Sequence, residues 1–230
     1  MNQSFPSVYD TSADTLAVRH RVLRNTYWLL ALSMIPTVLG AWMGVQMKIS
    51  FFSGSPFIGM IVFMAVAFGF FYAIEKTKNS AAGVAVLLAF TFFMGLMLSG
   101  LIGRILNFSN GASLIMTAFG GTAIIFAVMA TIATTSKRDF SGMSSWLFAG
   151  VIVLLLASIA NIFLQLTILQ LVVSAIAVMI FSAYILFDVQ RIINGGETNY
   201  ITATLSIYLD LYNVFVNLLA ILGIVGGERD

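Results

Sequence analysis

The sequence predicts an all-α integral membrane protein built from seven transmembrane helices, and three observations predict it. Hydrophobic residues make up 60% of the 230 positions and charged residues only 9%, whereas a soluble domain carries roughly a quarter charged residues to coat its surface. The mean hydropathy is +1.02. The apolar residues also fall into seven runs close to the roughly 20 residues that a helix needs to cross a bilayer.

Taken in order, residues 1–26 are polar and lack apolar periodicity, and are expected to form a flexible cytoplasmic N-terminal tail. The seven spans follow at about 27–47, 57–75, 80–103, 111–134, 143–163, 168–189 and 201–225, making one transmembrane domain over 27–225 and leaving a short tail at 226–230. Polar or turn-forming stretches divide them: Lys48 to Pro56, Lys76 to Asn79, Arg104 to Asn110, Thr135 to Gly142, Gln165 to Thr167, and Gln190 to Tyr200. The fifth break is the weakest, and a six-span count stays open there. The first span follows a polar lead, is longer than a signal-peptide core and has no Ala-x-Ala site, so it is expected to be retained. Trp28, Trp42 and Trp146 fall near expected span ends, where amphipathic rings favour the interface. Gly40/Gly44, Ser99/Gly103 and Gly223/Gly227 are spaced to let helix backbones approach, and are read as packing within the bundle. No internal repeat supports an inverted-repeat transporter.

With seven spans, one side holds Arg19, Arg21, Arg24, Lys76, Lys78, Lys137, Arg138 and Arg191, and the other holds Lys48, Arg104 and Arg229. That asymmetry puts the N-terminus in the cytoplasm and the C-terminus outside. Eleven basic against nine acidic residues form no basic patch for nucleic acid, which is not expected as a partner; the lipid bilayer is. Cysteine is absent, which removes disulfides, thiolate-bound zinc and thiol catalysis, and the single His20 is read as a solvated side chain. There is no nucleophilic triad, phosphate loop or ligand cluster, so neither an enzyme nor a resident cofactor is expected.

Two ionisable residues lie clearly at membrane depth, Asp188 in the sixth span and Asp210 in the seventh. Glu75, beside Lys76 and Lys78, reads as an interfacial charge. Buried charges of this kind face a bundle interior or a water-filled cavity. At about 100° per residue, Thr202, Ser206, Asp210, Asn213 and Asn217 fall within about 40° of one direction, a polar face that points inward. Gln170, Ser174, Ala177, Phe181, Tyr184 and Asp188 make a similar stripe on the sixth helix. Gly195-Gly196 suits a helix stop and Thr198 or Asn199 a cap, so the two helices are antiparallel neighbours. Counted from that turn, Asp188 and Asp210 lie at depths of roughly 10 and 16 Å, near enough for side chains to meet. Two carboxyls in a low-dielectric site do not both ionise readily and share a proton over some pH range. Such a pair can sense pH, relay protons, hold a cation or perform aspartyl hydrolysis; alternatively each Asp only bonds a neighbouring helix. As a calcium site the pair falls short of the 6–8 oxygens of a tight one, and with Ser206, Asn213, carbonyls and water it makes a weak, exchangeable one.

The run Ser182-Ala-Tyr-Ile-Leu-Phe-Asp188-Val-Gln-Arg-Ile-Ile-Asn-Gly-Gly-Glu-Thr-Asn-Tyr200, continuing to Ser206-Ile-Tyr-Leu-Asp210-Leu-Tyr-Asn213, resembles the Bax inhibitor-1 family, in its bacterial YccA-like branch. The segments His20 to Tyr27 and Ala160 to Leu166 are similar to that branch too. The resemblance implies six helices around a central seventh, and a pH-sensitive di-aspartyl site at Asp188 and Asp210 of the kind found in calcium-leaking members. In those members a basic residue on the second helix latches the pair; here Phe57 to Glu75 offers no Lys or Arg at depth. The YccA-like branch implies a bacterial inner-membrane location and a partnership with the membrane protease FtsH, as modulator and as substrate taken by the N-terminal tail. Three readings follow: protease modulator, pH-sensitive calcium leak, and intramembrane aspartyl protease. The third is disfavoured because Ile207-Tyr-Leu-Asp210 puts bulky side chains where such enzymes carry Gly-x-Gly-Asp.

Overall fold

The structure, a computed structural model, describes residues 8–48 and 56–227, with side chains from 18–48 and 57–227. Its long helices are α1 (Val8–Gln46), α2 (Pro56–Thr77), α3 (Ala81–Ile105), α4 (Gly111–Thr135), α5 (Ser144–Leu164), α6 (Thr167–Ile193) and α7 (Tyr200–Gly226), with a 3-10 turn at Ser141–Met143 before α5. All seven are long and apolar enough to cross a membrane. The six-span alternative is excluded by the turn between α5 and α6. Gln165 adopts the left-handed conformation with φ 52°, its N–H donates to the Asn161 carbonyl, and the Asn161 side-chain oxygen accepts from Leu166 N–H. A weakly marked polar run thus closes a helix and reverses the chain within two residues.

The expected tail needs correction. Helix α1 begins at Val8, so residues 8–26 are helical, while residues 1–7 lie outside the described residues. Pro6 precedes this start, and Ala13, Leu16 and Ala17 favour helix. Asp10 and Asp14 add negative charge near the positive end of the helix dipole. Trp28, near the start of the apolar run, faces outward. The 226–230 tail begins inside α7, and residues 228–230 lie outside the described residues.

Helix α7 is the axis of the bundle. It packs against α6, α4, α1 and α3 and touches α2, and Ile207, Val214 and Leu219 along it are fully buried. Helices α1, α3, α4 and α6 pack on it closely, and α5 packs against α6 and its own leading turn. The most extensive contact joins α1 to α3. A Cβ at Gly40 would run into the Phe92 carbonyl, one at Gly95 into the Thr37 carbonyl, and one at Gly44 into the Ser99 side chain. Small residues let the two backbones touch, as the spacing implied. Gly223 and Gly227 pack on Ile105 and Phe108 in the same way, whereas Gly103 has open space around it. Helix α2 joins through aromatic rings, Phe63 against Phe93 and Phe70 and Phe71 against Phe90. Outward-facing Phe57, Phe68, Phe119, Phe148 and Phe163 present the apolar surface that lipid requires.

Candidate functional site

The α6–α7 hairpin is built as its turn residues dictate. Gly195 takes φ 79°, a left-handed conformation that glycine adopts without a Cβ clash, just past the end of α6. Asn199 then caps α7, its side-chain oxygen accepting from Ile201 N–H at 2.9 Å and Thr202 N–H at 3.3 Å. With the helices so fixed, Asp188 and Asp210 meet: their carboxyls lie within hydrogen-bonding reach of one another. A hydrogen bond between two carboxyls requires a proton on one of them, so a pair this close can share one. Both residues are buried, Asp188 at 9% and Asp210 at 5% exposure. The second Asp210 oxygen, Oδ2, is buried and accepts no hydrogen bond from the protein.

The surroundings are sparse in charge. Tyr184, one turn before Asp188, lies near both carboxyls. Arg191, about one turn further along α6, and Glu197 in the hairpin act on Asp188, and those two approach each other at 3.8 Å. No cation reaches the pair from α2, whose basic residue Lys76 lies in its last turn. Glu75 pairs with Lys78 at that same end, the interfacial role expected of it. No group of three or more His, Cys, Asp or Glu suited to a metal occurs among the described residues, so a cation here would have two carboxylates at most.

Below the pair, side-chain amides tie the loops of this face together. Gln190 Nε2 donates to the Arg138 carbonyl at 2.6 Å, and Gln190 Oε1 accepts from Phe140 N–H at 2.7 Å, pinning the α4–α5 loop to α6. In that loop, hydrogen bonds from Ser141 hold the Asp139 carboxyl below its ordinary range. Asn199 Nδ2 donates to the Lys78 carbonyl at 2.9 Å and to Asn79 Oδ1 at 3.0 Å, which joins the hairpin to the α2–α3 loop. The N-terminal part of α1 belongs to this same face, since Arg19 reaches the Ile193 carbonyl.

The other polar residues of the α7 stripe do different work. Asn213 and Asn217 donate to carbonyls of their own helix, Leu209 and Asn213 respectively, and Ser206 is half-buried. Sequence reasoning missed a second row, Thr204, Tyr208 and Tyr212, whose i, i+4, i+8 spacing was the available signal. Thr204 donates to the Thr26 carbonyl at 3.3 Å, Tyr208 Oη lies 2.9 Å from Thr37 Oγ1, and Tyr212 donates to the Met94 carbonyl at 3.2 Å. Phenol rings at every turn supply apolar bulk along most of their length and a hydrogen bond at the tip.

A protein-family model described as Inhibitor of apoptosis-promoting Bax1 matches residues 19–227, nearly the whole described bundle. The chain belongs to this Bax inhibitor-1 family. Among its relatives, an Escherichia coli (strain K12) protein named Modulator of FtsH protease YccA is 38% identical over 223 residues, covering 97% of this chain and 98% of the relative. An uncharacterized membrane protein of Vibrio cholerae is 38% identical over 213 residues, covering 91% and 92% of the two chains. An uncharacterized protein of Pseudomonas aeruginosa is 40% identical over 207 residues, or 90% of each chain. In this Bax inhibitor-1 chain, the acidic hairpin and the α1–α3 seam both lie within the matched region.

Proposed function

We propose that this protein is a multi-pass inner-membrane modulator of an FtsH-type membrane protease, and itself one of that protease's substrates. The observation that carries the reading is likeness along nearly the full length of both chains to a relative named for that role. The fold supplies a physical route. A processive protease needs a segment outside the bilayer to grip, and residues 1–17 precede the apolar span. The seven helices behind it satisfy their backbone hydrogen bonds internally, which makes extraction slow. A substrate that is easily gripped and slowly drawn out occupies the enzyme and delays its other substrates. This is regulation without catalysis, and Ile207 and Tyr208 beside Asp210 are buried bulky side chains where a peptide strand would have to enter. Deleting residues 2–17 should lengthen the protein's lifetime in cells that contain FtsH while membrane insertion persists. An unchanged lifetime, with insertion verified by protease protection, would remove the N-terminal segment as the grip.

A second reading, proton-controlled passage of a cation such as calcium, is favoured by the geometry of Asp188 and Asp210 and by the unpartnered Asp210 Oδ2. The two carboxylates, with water and carbonyls, would hold calcium weakly and only once the shared proton has left. Calcium entry into liposomes carrying the purified protein should therefore rise as pH rises through the pair's titration. Asp210→Asn, by removing one ionisable partner, should flatten that profile. If Asp188→Asn and Asp210→Asn both fold and both keep the wild-type profile, the pair does not control passage.

A further inference from the structure

At the end of the bundle opposite the acidic hairpin, α5 diverges from α7 and leaves a crevice of about 590 Å³ walled by α3, α5, α6 and α7. Its polar lining is Arg104, Ser158, Asn161, Gln165, Gln170, Ser174 and Asn217. Leu101, Ile162, Val173, Val216 and Ala220 line the remainder. Neither the protease reading nor the acidic pair uses these residues. We propose that this crevice binds a phosphate-headed amphiphile, with the phosphate at Arg104 and an acyl chain along the apolar wall.

Four observations converge on that ligand class. The volume falls in the range of small-molecule sites, roughly 300–1,000 Å³. Arg104 is exposed at the last turn of α3, the level at which lipid phosphates meet a spanning helix. It forms no ion pair among the described residues, and none of their acidic residues lies at this end of the bundle. Among the described residues its guanidinium has no anionic complement, and phosphate matches the planar fork of donors. Finally, α5 packs closely on α6 alone among the long helices, so the crevice has no packed wall between α3 and α5 and a lipid can enter sideways. A free inorganic anion would satisfy Arg104 and leave the apolar wall bare; an amphiphile covers both.

The test uses the full chain purified in mild detergent and stripped of lipid, with thermal unfolding followed against added ligand. Dioleoylphosphatidylglycerol should raise the melting temperature and saturate, with native mass spectrometry showing one lipid per chain. Dioleoylglycerol, which lacks the phosphate, and inorganic phosphate, which lacks the chains, should each leave it unchanged. Arg104→Gln should raise the half-saturating lipid concentration about tenfold, the scale of one charge-assisted contact. Lys48→Gln, which removes another cation expected on this side of the membrane, should not. Ala220→Phe should abolish saturation by filling the apolar wall while Arg104 remains. Equal half-saturation in Arg104→Gln and wild type would overturn the proposal. So would a full response to inorganic phosphate, marking a free-anion site, or to dioleoylglycerol, marking a chain-only groove.

Discussion

Tyr208 shows how a single side chain holds three helices. Its ring is buried among α1, α3 and α7, and its hydroxyl sits 2.9 Å from Thr37 Oγ1 and 3.4 Å from the Thr91 carbonyl. Tyr208→Phe keeps the ring and removes the hydroxyl. Interhelical hydrogen bonds in membranes contribute about 0.6–2 kcal/mol, so the melting temperature in detergent should fall by a few degrees. Thr117→Val, at an exposed threonine that bonds only its own helix, should leave the melting temperature unchanged. The carboxyl pair was legible in the sequence because an Asp in an apolar span is rare and its partner lay across a short turn. The tyrosines were not, because their hydroxyls sit on large apolar bodies that read as ordinary core. Their partners are also mostly backbone carbonyls, which no residue type announces. Gln190 was missed for a related reason: beside Arg191 at a span end, it looks like a solvated amide until the α4–α5 loop is seen folded onto it.

At the scale of elements, the seam between α1 and α3 is the interface least tolerant of change. Gly95→Leu would drive a side chain into the Thr37 carbonyl and the Ala41 amide across the seam. It should sharply reduce the yield of monodisperse protein on size-exclusion chromatography. Gly69→Leu, on α2 with open space around it, should not alter the elution profile. Span existence was legible throughout, since apolar length alone sets it. Span ends were less so at α1, where helix propensity carries the helix back to Val8 through residues that look polar in composition. The turn at Gln165 was faint because its stop signal is a hydrogen-bonded Asn161 and a left-handed Gln, without the glycine or proline that usually announces one.

For the whole molecule, the sequence reading of a seven-helix bundle holds, with α1, α3, α4 and α6 packed closely on α7 and α5 attached through α6. From the Lys and Arg distribution, the face with the acidic hairpin is expected to lie in the cytoplasm. The native chain has no Cys, so single cysteines report the orientation cleanly. A cysteine at Asn79 should react with an impermeant maleimide only from the cytoplasmic side, and one at Ser109 only from the other. Labelling of both from the same side would require an even number of spans between them and would contradict the single crossing by α3.

The central position of α7 has a consequence for biogenesis. The helix on which α1, α3, α4 and α6 pack is the last of the seven to be synthesised. Until Tyr200 onward is synthesised, α1, α3, α4 and α6 enclose a groove with nothing to fill it. Asp188 has no carboxyl partner, and Thr37 has no phenol to meet. The contacts of α1, α3, α4 and α6 with α7 are therefore expected to form only after that span is made. A nascent chain stalled before residue 200 would leave the contact faces of α1, α3, α4 and α6 for α7 uncovered in the membrane.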